Sequence, residues 1–157
     1  AFDINLKEQL ESIENTGDGL LPLFIIKKDE KLVYAIPMLG RGLWGPIWGT
    51  IALKEDLNTV AGISLGHKGE TPGLGAEISN EDYQKKFVDK QIFNSKNEFV
   101  SIKLAKGGIA NNKDILEIHG VDAISGGTIT SDGTSEMLKN ILHYYLPYFE
   151  KLRNNGK

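Results

Sequence analysis

The segment from Thr134 to Leu152, "TSEMLKNILHYYLPYFEKL", carries the strongest periodic signal in the chain. Its apolar side chains recur at helical spacing and form one continuous stripe, made of Met137, Leu138, Ile141, Leu142, Tyr145, Phe149 and Leu152. The pattern predicts a long C-terminal helix with one buried face. Pro147 lies within the stripe and lacks a backbone N–H, so we expect it to kink the helix or to end it there.

Upstream of this helix, short apolar segments are typical of strands joined as hairpins. Spacing predicts a first helix over residues 3–14, which stops near Gly17 and Gly19. A charged turn around Asp29 and Glu30 is expected to join the first two strands. Another helix is expected to start at Ser79 or Asn80. The strands are predicted at Leu23–Ile26, Leu32–Pro37, Pro46–Leu53, Thr59–Leu65, Phe99–Leu104 and Ile115–Ile118.

Helices at the two ends and strands in meanders favour one fold class. We predict an α+β fold, a single domain over residues 1–157, with a mainly antiparallel sheet flanked by N-terminal and long C-terminal helices. The length of 157 residues suits one domain, and 40% hydrophobic with 25% charged residues is close to the globular average. The net charge of -3 gives no reason to expect nucleic acid as a partner.

Composition also limits the kinds of site and segment that the chain can hold. It has no cysteine, which excludes disulfides and thiolate metal sites. His67, His119 and His143 lie far apart in the sequence, so no metal site is predicted. No apolar run approaches the roughly 18 residues that a membrane-spanning helix needs. Because the chain starts at Ala1 rather than methionine, we expect it to be processed or cut from something longer, with a signal or anchor possible upstream.

Two short motifs fail the test of their sequence context. The segment "GRGLWG" (40–45) matches the dinucleotide-binding pattern, but Pro46 and a strand-like segment follow where that motif needs a helix. The segment "GISLG" (62–66) matches the hydrolase elbow, which needs Ser64 on a strand-to-helix turn. The residues after it, "HKGETPGLG", cannot start a helix. We therefore interpret Ser64 as a strand residue rather than a nucleophile.

Three glycine-rich segments could form a site for a phosphorylated aromatic cofactor. They are "GRGLWGPIWG" (40–49), "GHKGETPGLGAEI" (66–78) and "DAISGGTITSDG" (122–133). Glycine lets the backbone approach a ligand closely, and tryptophan supplies flat apolar surface. The third segment leads into the last helix, whose N-terminus favours a phosphate.

A plainer interpretation of the same segments stays open on the residues alone. Thr130, Ser131 or Asp132 could simply cap the last helix, with Glu136 as a capping-box partner. The glycines could be turn residues and the tryptophans could belong to the core.

In this order and spacing, the three segments resemble the FMN-binding domain family. The match rests on residues 40–53, 62–78 and 121–133. Within the family it is most similar to the C subunits of sodium-translocating NADH:quinone reductases, with the G subunits of the Rnf electron-transport complex as the near relatives. The resemblance implies FMN as the cofactor, joined through its phosphate to a threonine by a separate flavin transferase that uses FAD.

The family motif implies a role for each residue of the third segment. Asp122, Ser125 and Gly126 match the motif, and Thr128 falls on the position that carries the covalent FMN. Gly127 stands where the family usually has alanine, which is expected to loosen the loop by up to about 1 kcal/mol. Thr130 and the N–H groups of the last helix are expected to lie beside the phosphate.

The resemblance also implies which residues line the isoalloxazine ring. Glu70–Leu74 and the region of Trp44 are expected to surround it. Thr71 is expected to donate a hydrogen bond to the edge of the ring. Leu43, Trp44 and Leu74 are expected to form its apolar walls.

The function that the resemblance implies is electron relay between NADH and quinone, within a membrane-bound respiratory complex that exports sodium. The other subunits of that complex would be its partners. An N-terminal transmembrane helix would anchor the domain on the periplasmic side of a bacterial inner membrane. The alternatives are an Rnf-type subunit with the same covalent FMN, a binding or assembly domain without flavin, and a serine hydrolase acting through Ser64.

Overall fold

The computed structural model describes residues 3–28 and 30–155, which form an α+β fold. Its elements are α1 (Leu6–Thr16), β1 (Phe24–Lys28), β2 (Lys31–Arg41), β3 (Pro46–Lys54), β4 (Val60–His67), α2 (Glu81–Lys85), β5 (Lys103–Ala105), β6 (Gly120–Asp122) and α3 (Thr128–Asn155). Short 3-10 turns occur at Gly75–Ser79, Ile109–Asn111 and Glu117–His119. The fold class predicted from the sequence is confirmed. The predicted turn residue Asp29 lies outside the described residues.

The strands β1 to β4 form one antiparallel sheet in the order of the chain. Each consecutive pair is a hairpin, as the alternation of apolar segments and turn residues predicts. The inner face of the sheet buries Ile36, Met38, Ile47, Ile51 and Leu53. The stripe of α3 packs against this core, with Met137, Leu138, Ile141, Leu142, Tyr145 and Phe149 all buried.

The first two helices begin and end where local chemistry dictates. The Asn5 side chain accepts from the N–H of Glu8 at the start of α1. The helix ends at Gly17, which has φ 79° and donates its N–H to the Ile13 carbonyl at 2.9 Å. Asn80 caps α2 by accepting from the N–H of Asp82 at 2.8 Å. These boundaries agree with the predictions to within a few residues.

The last helix begins earlier and ends later than the sequence predicts. The Gly127 carbonyl accepts the N–H of Ser131 at 2.9 Å, so Gly127 is the N-cap of α3. Ser131 therefore lies inside the first turn, and its hydroxyl instead accepts from the N–H of Ile124 at 3.1 Å. The prediction of a cap at Thr130, Ser131 or Asp132 is wrong. Of the two outcomes expected at Pro147, an end of the helix does not occur, and the helix continues to Asn155.

Two strand predictions between residues 99 and 118 are also wrong. Only Lys103–Ala105 is a strand in the first segment, and residue 99 forms an isolated bridge with Phe93. The second segment leads into a 3-10 turn, and the strand Gly120–Asp122 follows it. β5 and β6 pair in parallel. Parallel pairing joins residues that are distant in the chain, so neither local alternation nor a turn motif signals it.

Candidate functional site

Three loops that are far apart in the sequence meet at the N-terminus of α3. They are the turn between β2 and β3, the segment that follows β4, and the loop that precedes α3. Together they enclose a cavity of about 200 Å³, which we call the ring cavity. Its lining residues are Leu43, Glu70, Thr71, Leu74, Gly75, Gly126, Gly127, Thr128, Ile129 and Thr130.

A second cavity of about 520 Å³, the loop cavity, lies on the other side of the loop that precedes α3. Gly126 and Thr128 line both cavities. The loop cavity is lined by Lys106, Gly107, Gly108, Asp122, Ala123, Ile124, Ser125, Gly126 and Thr128. The structure thus brings most of the predicted site residues together around Thr128.

Thr128 is the first residue of α3, and it is half-buried. The backbone N–H groups of Thr128, Ile129 and Thr130 have no acceptor among residues 3–28 and 30–155. Unpaired N–H groups and the helix dipole make a helix start attractive to an anion. A phosphate next to the Thr128 hydroxyl would accept hydrogen bonds from these N–H groups.

Glu70 lines the ring cavity and is buried, with 5% of its surface exposed. Its Oε1 accepts from the backbone N–H of Trp44 at 2.9 Å. Its Oε2 accepts from the Thr130 hydroxyl at 2.5 Å. Its own N–H donates to Nδ1 of His67 at 3.1 Å. The side chain therefore connects the segment after β4 with the turn between β2 and β3 and with the first turn of α3.

Gly126 sets the shape of the ring cavity. Its φ of 73° lies in the left-handed region, which favours glycine. A Cβ there would lie 2.5 Å from Cδ2 of Leu74. The missing side chain therefore lets the loop before α3 pack directly against Leu74 and leaves Thr128 open to both cavities.

Asp122 lines the loop cavity and connects the segments around it by hydrogen bonds. Its Oδ1 accepts from the N–H of Ile109 at 2.7 Å, and its carbonyl accepts from the Tyr83 hydroxyl at 3.0 Å. Burial raises the pKa of the Tyr83 hydroxyl, and the nearby charge of Asp122 raises it further. Tyr83 therefore stays a neutral donor, and Asp122 acts here through fixed hydrogen bonds. Ser125 lines this cavity and is exposed.

Apolar side chains around the ring cavity remain open to solvent. Leu43 and Leu74 are both exposed, and Ile129 is 57% exposed. Trp44 is 66% exposed, and its side chain lies next to the cavity rather than lining it. Exposed apolar groups gathered around one cavity are typical of a binding site. With the free N–H groups and the hydroxyl of Thr128, they fit a planar ring that carries a phosphate.

The two motifs that fail in the sequence form no site among the described residues either. Ser64 lies in the middle of β4 and not on a strand-to-helix turn. After the glycines of "GRGLWG", β3 begins at Pro46. Both motif interpretations therefore fail in the structure as they do in the sequence. Within the described residues there is no group of His, Asp and Glu that could hold a metal ion.

Sequence reasoning missed several lining residues. Ile129 and Gly75 line the ring cavity, and Lys106 lines the loop cavity. Ile129 could have been found, since it directly follows the predicted acceptor. Lys106 carries no such signal, because β5 and β6 must pair before its loop reaches residues 122–128.

Comparisons with known proteins give the family. A family model described as the FMN-binding domain matches residues 42–143. The C subunit of the Na⁺-translocating NADH-quinone reductase of Haemophilus ducreyi is 45% identical over 104 residues, which cover 66% of this chain and 38% of the relative. Its counterpart in Neisseria meningitidis serogroup B is 36% identical and covers 98% of this chain and 58% of the relative. The chain spans about half the length of these curated relatives.

Solved structures agree in fold as well as in sequence. The crystal structure of the C subunit of the Na⁺-translocating NADH-quinone reductase from Parabacteroides distasonis matches with a TM-score of 0.83 and 38% identity, covering 95% of this chain and 69% of that chain. The structure of NqrC from Shewanella oneidensis matches with a TM-score of 0.74 and 32% identity, covering 85% and 61%. The chain therefore belongs to the FMN-binding domain family, among the C subunits of Na⁺-translocating NADH-quinone reductases.

Proposed function

We propose that the chain is the FMN-carrying domain of a sodium-translocating NADH:quinone reductase, with FMN joined through its phosphate to Thr128. The observation that carries the proposal is the position of Thr128. This residue opens α3, lines both cavities, and lies beside three N–H groups without an acceptor among the described residues. A phosphoester at this hydroxyl would place an anion at a helix N-terminus, where it is stabilised.

The attachment step needs an enzyme besides this chain. No base hydrogen-bonds to the Thr128 hydroxyl among the residues that the structure describes, and a threonine hydroxyl is a weak nucleophile at neutral pH. A flavin transferase would supply the base and FAD. The bond formed joins Thr128 Oγ1 to the phosphorus of the FMN half, and the bond broken is the pyrophosphate linkage of FAD. AMP leaves, and the base of the transferase takes the hydroxyl proton.

The residues in and around the ring cavity have separate roles in holding the cofactor. Leu43, Leu74 and Ile129 offer apolar contacts to the ring, and the exposed Trp44 extends that surface. Thr71 lines the ring cavity and offers a hydroxyl to the edge of the ring. FMN, when bound, supplies reversible electron transfer. Because the link is at the phosphate, attachment leaves the ring chemically free.

The place of the domain in its complex is inferred from the relatives. Their names support partnership with the other subunits of a respiratory complex. We place the domain on the periplasmic side of a bacterial inner membrane, held by an N-terminal transmembrane helix as the family resemblance implies. Within the described residues, no helix is long and apolar enough to span a membrane.

The test is intact mass after co-expression with an FAD-dependent flavin transferase. The wild type is expected to gain one FMN less one water, and Thr128→Ala is expected to gain nothing. Thr128→Ser keeps a hydroxyl at the same place, so some modification is expected there. Ser125→Ala keeps Thr128 and is the matched control for loss of a neighbouring hydroxyl.

Two results would contradict the proposal. An unchanged mass increase in Thr128→Ala would move the acceptor to Ser125 or Thr130. If the wild type gains no mass beside an active transferase, the covalent flavin is refuted and a binding or assembly domain without flavin becomes the better interpretation.

A further inference from the structure

Glu70 is the only charged side chain that is fully buried in the part of the chain that the structure describes. It forms no ion pair with a described residue. Burying a carboxylate is costly unless hydrogen bonds or an opposite charge compensate for it. Here the compensation comes from hydrogen-bond donors alone, which come from two different segments.

The two carboxylate oxygens join segments that are 26 and 60 residues away in sequence. Oε1 accepts from the Trp44 N–H in the turn between β2 and β3, and Oε2 accepts from the Thr130 hydroxyl in the first turn of α3. Thr130 is itself buried and lies two residues after Thr128. The position of the acceptor threonine is therefore coupled to the turn that carries Leu43 and Trp44.

Two glycines provide the space that the carboxylate occupies. A Cβ at Gly42 would lie 2.6 Å from Oε1 of Glu70. A Cβ at Gly75 would overlap Oε2 and would lie 2.6 Å from the Thr130 hydroxyl oxygen. The carboxylate therefore occupies the space that side chains at these two positions would fill, and it reaches both of its hydrogen-bond donors from there.

We infer that Glu70 is a positioning residue: its carboxylate fixes the first turn of α3 against the ring-lining loops and so holds the Thr128 hydroxyl where a flavin transferase can use it. This inference rests on the proposed attachment of FMN to Thr128. It gives Glu70 a role different from lining the isoalloxazine ring, which the family resemblance implies for Glu70–Leu74. Its effect passes through Thr130 and the backbone rather than through contact with the cofactor.

The experiment compares wild type, Glu70→Gln and Glu70→Ala at saturating FAD and purified transferase. The rate of FMN incorporation is followed by intact mass and divided by the folded fraction, which is measured by circular dichroism. Glu70→Ala loses both acceptors and is expected to be modified at least about tenfold more slowly per folded molecule. Glu70→Gln can still accept from Trp44 and pair with Thr130, so we expect it to recover most of the rate.

Gly69→Ala is the matched control for a change in the same loop, because a Cβ at Gly69 would meet nothing within 4 Å. Its rate is expected to equal that of the wild type. If Glu70→Ala does not fold, Thr130→Val removes one of the two bonds, and the same slow modification is expected. A wild-type rate per folded molecule in whichever of these two variants folds would overturn the inference.

Hydrogen exchange on the unmodified protein separates this inference from the proposed function. The N–H of Ser131 bonds to the Gly127 carbonyl in the first turn of α3. In Glu70→Ala, or in Thr130→Val if that variant is used, this amide is expected to exchange about tenfold faster, while amides in the middle of α3 stay unchanged. Equal protection of Ser131 would overturn the positioning role, whether or not the wild type accepts FMN. Failure of the wild type to accept FMN would refute the proposed function, while the exchange of Ser131 would still decide whether Glu70 fixes the first turn of α3.

Discussion

Four hydroxyl residues lie within seven positions of one another at the start of α3, and their surroundings differ. Thr130 is buried and donates to Glu70, and Ser131 is buried and accepts from the N–H of Ile124. Ser125 is exposed on the loop. Thr128 alone among these four lines both cavities. Its environment, rather than any difference in hydroxyl chemistry, is the physical reason to expect modification there.

At the scale of single residues, the effect of a side chain at Gly127 can be predicted, since the family usually has alanine at this position. A Cβ there would lie 3.1 Å from Cγ2 and 3.2 Å from Cβ of Ile124, and 3.2 Å from the Gly75 nitrogen. The Cβ of a β-branched residue and a backbone atom can move only slightly. These contacts outweigh the entropy that glycine costs the loop, so Gly127→Ala is expected to lower the free energy of unfolding by about 1 kcal/mol, measured by urea denaturation.

The opposite sign would contradict this prediction and would show that Ile124 gives way easily. In that case Gly127→Ala would raise the free energy of unfolding, because alanine reduces the entropy of the unfolded chain. Gly62→Ala is the control, since nothing lies within 4 Å of a Cβ at Gly62.

At the scale of elements, the turn between β3 and β4 depends on one carboxylate. Asp56 accepts from the N–H groups of Asn58 and Thr59 and from the Thr59 hydroxyl. Burial alone would raise the pKa of Asp56, but these hydrogen bonds and the charge of Lys54 outweigh it and lower the pKa. The ionised form therefore stabilises the fold, and this contribution is lost as pH falls through the lowered pKa.

Asp56→Asn tests this turn through its pH dependence. At pH 7 the free energy of unfolding of the variant is expected to be about 1 kcal/mol lower than that of the wild type. At a pH below the folded pKa of Asp56, both side chains are neutral and the difference is expected to shrink. Urea denaturation at both pH values gives the comparison. A difference of the same size at both would show that the charge of Asp56 does not matter.

The second prediction at the scale of elements concerns Pro147. It is exposed on α3, which continues for eight residues beyond it to Asn155. A proline inside a helix removes one backbone hydrogen bond and costs about 3 kcal/mol relative to alanine. Pro147→Ala loses little packing, so the free energy of unfolding is expected to rise by about 1–3 kcal/mol in urea denaturation. An unchanged value would mean that the helix already compensates for the missing bond.

The elements that the sequence predicts well are those with local signals. The stripe of α3 is periodic, and the hairpins of β1 to β4 alternate with recognisable turns, so both are confirmed with small shifts of their ends. β5 and β6 have three residues each, too few for a pattern, and their pairing joins positions 17 apart in parallel. Pro147 does not end α3, because packing of the stripe, which continues to Phe149 and Leu152, outweighs the local cost of the proline.

In the candidate site too, the sequence predicts the features that have a local motif and not the contacts that form only on folding. The three glycine-rich segments could be recognised in the sequence because their residue types and order form a motif. The hydrogen bond between Glu70 and Thr130 spans 60 residues, and it exists only once α3 lies across the sheet. No local pattern predicts such a contact, and Lys106 reaches the loop cavity for a similar reason.

At the scale of the whole molecule, the site exists because α3 crosses β2 at very short range. A Cβ at Gly40 would lie 2.7 Å from the Cβ of Met137. A Cβ at Gly133 would overlap the carbonyl oxygen of Arg41. Two missing side chains therefore let the helix lie directly on the end of the strand. The turn after β2 carries Leu43, so this crossing brings the first turn of α3 to the ring cavity.

Gly133→Ala tests the crossing through the sign of its effect. In an ordinary helix, replacing glycine by alanine adds about 1 kcal/mol of stability. Here the new methyl group must push α3 away from the backbone of Arg41. Neither α3 nor the end of β2 can move at low cost. The variant is therefore expected to lose about 1–3 kcal/mol of unfolding free energy, and to be modified at Thr128 more slowly than the wild type. Urea denaturation and intact mass after co-expression with the transferase measure the two effects. A stabilised and normally modified Gly133→Ala would show that α3 does not approach β2 so closely, and the ring cavity would then need another origin.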